Sequence, residues 1–276
     1  PATDTHDRWI PAQALRLRVK QMSEVDMERA AADVSEAWPD CPLGALFRAW
    51  ARRADPPACF AQIVSGLGQL KLVAARSAEL DNIENDFLGA AFGCLNEAKG
   101  RTSGLDADAI VKAASQENLA SLYVVAAAVL GASGRHRDAL DFADRAERRA
   151  GPAPGPHLRR FIMDIRTDAY VGLGDRDTAI GLLRRALAES GERWLQTLLA
   201  KALSSAGRWE ELVAEVHPEA RDESTDDTQQ ALECVVTAYV RLGRRDEALA
   251  AIEKMSGSKH EGLRAWARAL PVLRER

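Results

Sequence analysis

The stretch VVTAYVRLGRRDEALAAIEK, from Val235 to Lys254, contains two helical patterns separated by one glycine. Apolar residues recur at helical spacing on both sides of that glycine. They are Leu232, Val235, Val236 and Tyr239 before it, and Ala248, Leu249, Ile252 and Met255 after it. Gly243 can take the left-handed conformation that ends one helix and admits the next. The stretch therefore predicts a hairpin of two helices.

The same pattern occurs four times in the second half of the chain. Its glycines are Gly134, Gly174, Gly207 and Gly243, which lie 40, 33 and 36 residues apart. Four positions before each glycine stands a bulky residue: Leu130, Tyr170, Leu203 and Tyr239. Five positions after each glycine stands a small or apolar residue: Ala139, Ala179, Leu212 and Ala248. The pattern predicts four hairpins whose helices approach each other closely.

Helix-hairpin repeats with a period near 34 residues are typical of tetratricopeptide repeat (TPR) proteins, and residues 119–256 resemble that family. The resemblance implies an all-α fold, a right-handed α-solenoid of antiparallel helix hairpins. The hairpins are expected to stack on one another, because one hairpin cannot bury its apolar face alone. The run GPAPGP is a strong loop signal and accounts for the 40-residue spacing as an insertion.

The chain is expected to divide into three segments. Residues 1–118 are predicted to form degenerate helical hairpins, since Gly100 lies 34 residues before Gly134 and DADAIVKAASQ follows it as a second helix. A separate N-terminal helical domain would look much the same. Residues 119–256 hold the TPR-like repeats, and residues 257–276 are expected to form a helix that caps the array.

The charge and the hydrophobic pattern of the chain argue against two classes of function, nucleic-acid binding and membrane association. The formal net charge of −4 argues against bulk attraction to nucleic acid or to an anionic membrane. No run approaches the roughly 18 apolar residues of a membrane span, and no signal peptide is recognisable. We expect a cytoplasmic protein. The chain does not begin with Met, so we expect a processed chain or part of a longer one.

The four cysteines, which form no CxxC pair, are expected to be buried thiols of a reducing compartment. They are Cys41, Cys59, Cys94 and Cys234. A disulfide between Cys41 and Cys59 stays open, because spacing alone does not establish a pairing.

No catalytic, metal or cofactor motif is recognisable in the sequence. The five histidines have no partner at metal-ligand spacing, and GCLNEAKGRT at 93–102 lacks the order of a phosphate loop. An arginine-rich helix at 135–149 could form a nucleic-acid patch, but its interleaved Asp and Glu residues favour local ion pairs. We therefore expect a protein that is not an enzyme and that binds no cofactor or metal.

The resemblance also implies where a partner binds. In TPR proteins the first helices line a concave groove, with groove residues about thirteen, ten, six and three positions before the turn glycine. Here these positions are Ser121, Val124, Ala128 and Gly131, small residues that would leave room, then Phe161, Asp164, Asp168 and Val171, then Trp194, Thr197, Lys201 and Ser204, and finally Gln230, Glu233, Thr237 and Val240. Eight of them are predicted to bind a partner: Phe161, Asp164, Asp168, Trp194, Thr197, Lys201, Glu233 and Thr237.

These residues predict a protein–protein interaction scaffold or adaptor whose groove accepts a protein or peptide partner with Lys or Arg. A carboxylate clamp, as in chaperone adaptors, is not expected, because Lys201 stands nearly alone among acidic residues. One alternative is the helical-repeat domain of a larger enzyme or of a secretion or assembly machine. There it would position a substrate protein or mediate self-association. A weaker alternative is an all-helical enzyme whose catalytic groups converge only in the fold.

Overall fold

The structure, a computed structural model, describes residues 10–71, 78–98, 105–152, 154–217 and 226–256. These residues form fourteen α-helices, one short 3-10 helix (Val19–Gln21) and no β-strand, which confirms the all-α prediction. The α-helices are α1 (Ile10–Arg16), α2 (Glu24–Ala37), α3 (Leu43–Ala51), α4 (Pro56–Lys71), α5 (Ala78–Ala98), α6 (Ala107–Glu117), α7 (Ala120–Ala132), α8 (His136–Ala150), α9 (Pro156–Gly172), α10 (Arg176–Ser190), α11 (Arg193–Ser205), α12 (Trp209–Glu215), α13 (Asp226–Arg241) and α14 (Arg245–Ser256).

Packing divides the chain into two compact units, Pro1–Ala169 and Tyr170–Arg276. The first unit is built around α7, in which every residue from 121 to 130 is buried. This helix has no charged residue in the sequence ASLYVVAAAVLGA, and a helix that is apolar all round must be covered on all sides. Helices α4, α5, α6 and α8 pack against it. Phe47, Phe60 and Phe87 are the largest of the fully buried side chains in this unit.

In the second unit, successive helices pack on their neighbours, and α11 also packs along α13. The core residues follow the helical periodicity that the sequence predicts. Leu232, Val236 and Ile252 form one buried cluster between α13 and α14. Leu203 and Leu212, the bulky residue before Gly207 and the apolar residue after it, are both fully buried.

The four predicted turns have the same backbone geometry. In the turn from α9 to α10, the amide of Asp175 donates to the Tyr170 carbonyl at 2.9 Å, and the amide of Gly174 donates to the Val171 carbonyl at 3.0 Å. This pair of bonds is a Schellman motif, which needs a left-handed residue after the helix. Gly174 supplies it with φ of +81°, and φ lies between 69° and 81° at all four turn glycines.

The residue five positions after each turn glycine is buried, as predicted. Ala139, Ala179 and Leu212 are fully buried, and Ala248 is 4% exposed. A Cβ atom placed on Gly131 of α7 would lie 3.8 Å from the Cβ of Ala139 on α8, so these two helices are in van der Waals contact. Small residues at this position therefore bring the two helices of the hairpin together.

Two predictions concern residues outside the described ranges: the turn at Gly100 and the capping helix at 257–276. The division into segments 1–118, 119–256 and 257–276 stays a prediction. The structure does describe the start of α2, where the Ser23 hydroxyl accepts a hydrogen bond from the Asp26 amide at 3.2 Å and caps the helix.

Candidate partner-binding surface

Helices α11 and α13, the first helices of two successive hairpins, lie side by side in the second unit. Cys234 of α13 marks the contact, because Lys201 and Ser204 of α11 are both close enough to act on the pKa of its thiol. Burial raises the pKa of the Cys234 thiol, which keeps it neutral. We define the α11/α13 surface by five residues of these two helices that are exposed or half-buried, which are Trp194, Lys201, Glu233, Thr237 and Val240.

Four of the five predicted residues in this unit contribute to that surface. Lys201 is exposed, while Trp194, Glu233 and Thr237 are half-buried. Thr197 is only 3% exposed, although we expected it to face a partner. Thr197 lies on a face of α11 that packs against other helices. Helical periodicity alone does not distinguish this position from the neighbouring surface positions.

Two of these side chains are held by local hydrogen bonds. The Trp194 indole N–H donates to the Glu192 carboxylate at 2.6 Å, which fixes the ring at the start of α11. The Thr237 hydroxyl donates to the Glu233 carbonyl oxygen at 2.7 Å, one turn back along α13. What Thr237 presents to the surface is therefore mainly its methyl group, and a polar contact with a partner is better supplied by Lys201 or Glu233.

Val240 adds an apolar group to the surface. It stands three residues after Thr237 on α13 and is 61% exposed, which is unusual for a large apolar side chain. The sequence placed it among the groove positions, but the structure singles it out by its exposure. An aliphatic residue, a tryptophan and two charged groups are residue types found together at interaction surfaces.

The three remaining predicted residues, Phe161, Asp164 and Asp168, lie on the part of α9 that belongs to the first unit. The Phe161 ring packs against Phe92 of α5 with ring centroids 4.5 Å apart, and it is half-buried. Asp164 is half-buried and Asp168 is exposed. Phe161 therefore stabilises the first unit as an aromatic pair, and the two aspartates supply the negative charge on this helix.

Arginines on the second helices are engaged in ion pairs. In the second unit, the Arg184 guanidinium of α10 binds Glu211 of α12 at 2.6 Å and also contacts Glu215. In the first unit, the arginine-rich helix α8 has the local pairs that its charge pattern predicted. Arg135 binds Asp138 at 2.8 Å and Arg145 binds Asp141 at 2.7 Å, and Arg135 also binds Asp108 of α6 at 2.6 Å. These pairs favour a solvated structural face over a nucleic-acid patch.

The first unit also contains a polar cleft of about 780 Å³ that the sequence did not predict. Asp81 and Glu84 of α5 line one side, and Arg149 of α8 and His157 of α9 also line it. Residues 154–156 of the GPAPGP run form part of its wall. The insertion that lengthens this repeat thus contributes to the cleft, and the only sequence signal for it was the irregular spacing. Its mixture of carboxylates and basic groups suits a ligand that carries both charges.

Within the described ranges, no group of three or more His, Cys, Asp or Glu side chains is arranged to hold an ion. Among the described helices, none combines the length and the apolarity needed to cross a bilayer.

No protein-family model matches the sequence, and the search of curated proteins finds no match.

Proposed function

We propose that this chain is a non-catalytic protein–protein interaction scaffold of TPR-like hairpins stacked into a right-handed solenoid. In this proposal the first helices bind a segment of a partner protein. The observation that carries it is the side-by-side packing of α11 and α13, with Cys234 of one helix against Ser204 of the other. Two adjacent first helices create a preformed surface, and a partner segment loses less entropy on a surface that is already ordered.

The chemistry of the α11/α13 surface supports a particular kind of partner. Trp194 and Val240 offer apolar area, and Glu233 supplies a carboxylate next to it. A segment that carries Lys or Arg beside an apolar residue would match both groups. Aromatic anchors with neighbouring charges are the arrangement in which single residues contribute most to binding. The four free cysteines support a cytoplasmic location, where thiols are kept reduced.

The test compares two triple variants of the full chain. The surface variant carries Lys201→Glu, Glu233→Lys and Val240→Asp. The control variant carries Arg185→Glu, Glu189→Lys and Ala188→Asp, which are exposed positions of α10. Both sets exchange one pair of charges and add one carboxylate, so their net charges are equal. Circular dichroism establishes that each variant is folded.

The unaltered chain is then used to capture proteins from a lysate of the source organism. Synthetic peptides that correspond to basic segments of the captured proteins are tested for binding. We expect the surface variant to bind such a peptide at least about 10-fold more weakly, and the control variant to bind it like the unaltered chain. Equal binding by all three proteins would contradict the assignment of the α11/α13 surface.

The second candidate is the repeat domain of a larger enzyme or assembly machine. The polar cleft of the first unit is the observation that favours it, because such a cleft could hold a small ligand or a chain end. An enzyme domain encoded in the same reading frame would decide for this candidate.

A further inference from the structure

The polar cleft of the first unit is formed by parts of four helices and by the end of the GPAPGP run. Its volume of about 780 Å³ lies within the roughly 300–1,000 Å³ that is typical of small-molecule sites. On α5 the lining includes positions 81, 84, 85 and 88, which recur at helical spacing and therefore share one face of that helix. The start of α7, the end of α8 and the start of α9 supply other parts of the lining.

The face of α5 supplies groups that bind a cation. Asp81 is exposed, whereas Glu84 and Asn85 are half-buried, and all three line the cleft. Two carboxylates and an amide oxygen are hydrogen-bond acceptors, and a primary ammonium group donates three hydrogen bonds. Because Glu84 is partly shielded from water, its attraction to an ammonium group is screened less than that of a fully solvated carboxylate.

Arg149 of α8 supplies a group that binds an anion. Its Nε donates a hydrogen bond to the Asn118 carbonyl at 2.7 Å. Asn118 directly precedes Leu119, the residue before α7, so this bond holds the guanidinium at the end of α7 that lines the cleft. With Nε engaged in this way, Nη1 and Nη2 form the edge that can bind a carboxylate through two parallel hydrogen bonds. His157 of α9 adds a ring N–H donor to the lining.

Apolar side chains also line the cleft. Leu88 is fully buried and Leu119 is 8% exposed, while Leu158 is half-buried. Such a lining favours an aliphatic group of a ligand, because contact with it removes apolar surface from water. Pro154 and Pro156 form part of the wall, and each proline ring restricts its own φ angle. A wall that is already ordered loses little entropy when a ligand binds.

We propose that this cleft binds a small zwitterion with an aliphatic side chain, that is, a short peptide with both ends free or a free amino acid. The ammonium group of the ligand binds Asp81 and Glu84, its carboxylate binds Arg149, and its side chain packs on Leu88. A phosphate would be repelled by the two carboxylates and a polyamine by the guanidinium, so neither matches the whole lining. The volume favours a peptide of about two to four residues over a free amino acid.

The experiment is isothermal titration calorimetry of the full chain with the tripeptide Ala-Leu-Ala and with free leucine. We expect the tripeptide to bind, and N-acetylation or C-amidation of it to weaken binding at least about 10-fold, because each change removes one charge from a charge-assisted hydrogen bond. Tighter binding of leucine than of the tripeptide would support the site and identify a free amino acid as its ligand. Two outcomes would overturn the proposal: neither ligand binds at about 5 mM, or a tripeptide blocked at both ends binds as well as the free one.

Two variants of the cleft assign the charges of the protein to the two ends of the ligand. Arg149→Met should weaken tripeptide binding about 10-fold and abolish the effect of C-amidation, and Glu84→Gln should do the same for N-acetylation. A variant that was merely destabilised would keep its response to both blocking groups. The matched controls are Arg148→Met and Glu97→Gln, which remove exposed charges of the same two helices outside the described lining. They should bind all the peptides like the unaltered chain.

The proposal fails if the two cleft variants still distinguish free from blocked tripeptides as the unaltered chain does. It does not depend on the α11/α13 surface, whose residues belong to the second unit, whereas the cleft belongs to the first. The triple surface variant should therefore bind Ala-Leu-Ala like the unaltered chain, and the two proposals can be contradicted separately.

Discussion

Arg208, the first residue after the turn glycine Gly207, donates a hydrogen bond to the Asp177 carboxylate of α10 at 2.8 Å. The same relationship recurs between Arg244 and Glu210 at 2.8 Å, and between Arg135 and Asp108 at 2.6 Å. In each case the arginine follows a turn glycine, and its partner is the second residue of the helix two places earlier in the chain. The turn that ends a first helix thus also fixes how the second helix that follows it is aligned with the second helix before it.

Glu211 gives this network a measurable pH dependence. Hydrogen bonds from Arg208 and Arg184 lower the pKa of Glu211 from its ordinary value of 4.5 to about 2. A carboxyl group whose pKa is depressed in the folded state contributes its full stability above the unfolded value, and loses that contribution as the pH falls through the folded value. The contribution of Glu211 should therefore disappear progressively between pH 4.5 and about 2.

The measurement is the thermal midpoint as a function of pH for the unaltered chain and for Glu211→Gln. We expect the variant to have the lower midpoint at neutral pH and the difference to shrink below pH 4.5. In a background of Arg184→Met and Arg208→Met, the Gln substitution should no longer change the profile in this range. A difference that stays constant down to pH 2 would show that the arginines do not act on Glu211.

Two glycines of α4 should respond in opposite directions to alanine. A Cβ atom on Gly66 would lie 2.1 Å from Cζ of Phe87, whose ring is fully buried on α5, whereas nothing lies within 4 Å of a Cβ on Gly68. Gly66→Ala should therefore destabilise the protein by about 2–3 kcal/mol through overpacking. Gly68→Ala should stabilise it by about 0.5–1 kcal/mol, because alanine is the better helix former. Denaturant unfolding measures both, and equal effects would mean that the helices do not meet at Gly66.

The turn from α9 to α10 supplies a second matched pair of glycines. Gly174 has φ of +81°, while Gly181 lies inside α10, where a Cβ atom would have nothing within 4 Å. Gly174→Ala should cost about 1–2 kcal/mol, because an L-residue is strained in the left-handed region. Gly181→Ala should be neutral or stabilising by up to about 1 kcal/mol. Thermal or denaturant unfolding of both variants measures the difference, and an equally tolerated Gly174→Ala would contradict the Schellman geometry of this turn.

Arg166 should contribute more stability than an ordinary surface arginine. Its side chain is only 17% exposed and binds both Asp144 and Glu147 of α8, at 2.6 and 2.7 Å. Arg166→Ala should destabilise the protein by about 1–2 kcal/mol in denaturant unfolding, since two charge-assisted hydrogen bonds are lost at a partly buried site. The control is Arg29→Ala, because Arg29 pairs with Asp26 at 4.0 Å and is 71% exposed. That substitution should cost less than about 0.5 kcal/mol. Similar losses for both variants would indicate that Arg166 is no more than a surface charge.

Local sequence was sufficient to predict the helical hairpins and their turns. Each turn glycine, together with the residues four before and five after it, specifies local backbone geometry and one buried face. Such local preferences do not depend on distant parts of the chain. For the same reason the ion pairs within the arginine-rich segment that join residues three or four apart, Arg135 with Asp138 and Arg145 with Asp141, could be predicted.

Which distant residues meet was settled by tertiary packing. The sequence left a Cys41–Cys59 bridge open, and in the structure both residues are free, buried thiols. The sequence predicted that both Thr197 and Lys201 of α11 bind a partner, yet Thr197 is buried and Lys201 is exposed. The cleft beside the GPAPGP insertion had no motif at all. The physical reason is that helical periodicity defines a face, whereas burial and proximity depend on which helix covers that face, and this choice is made by contacts between segments far apart in the chain.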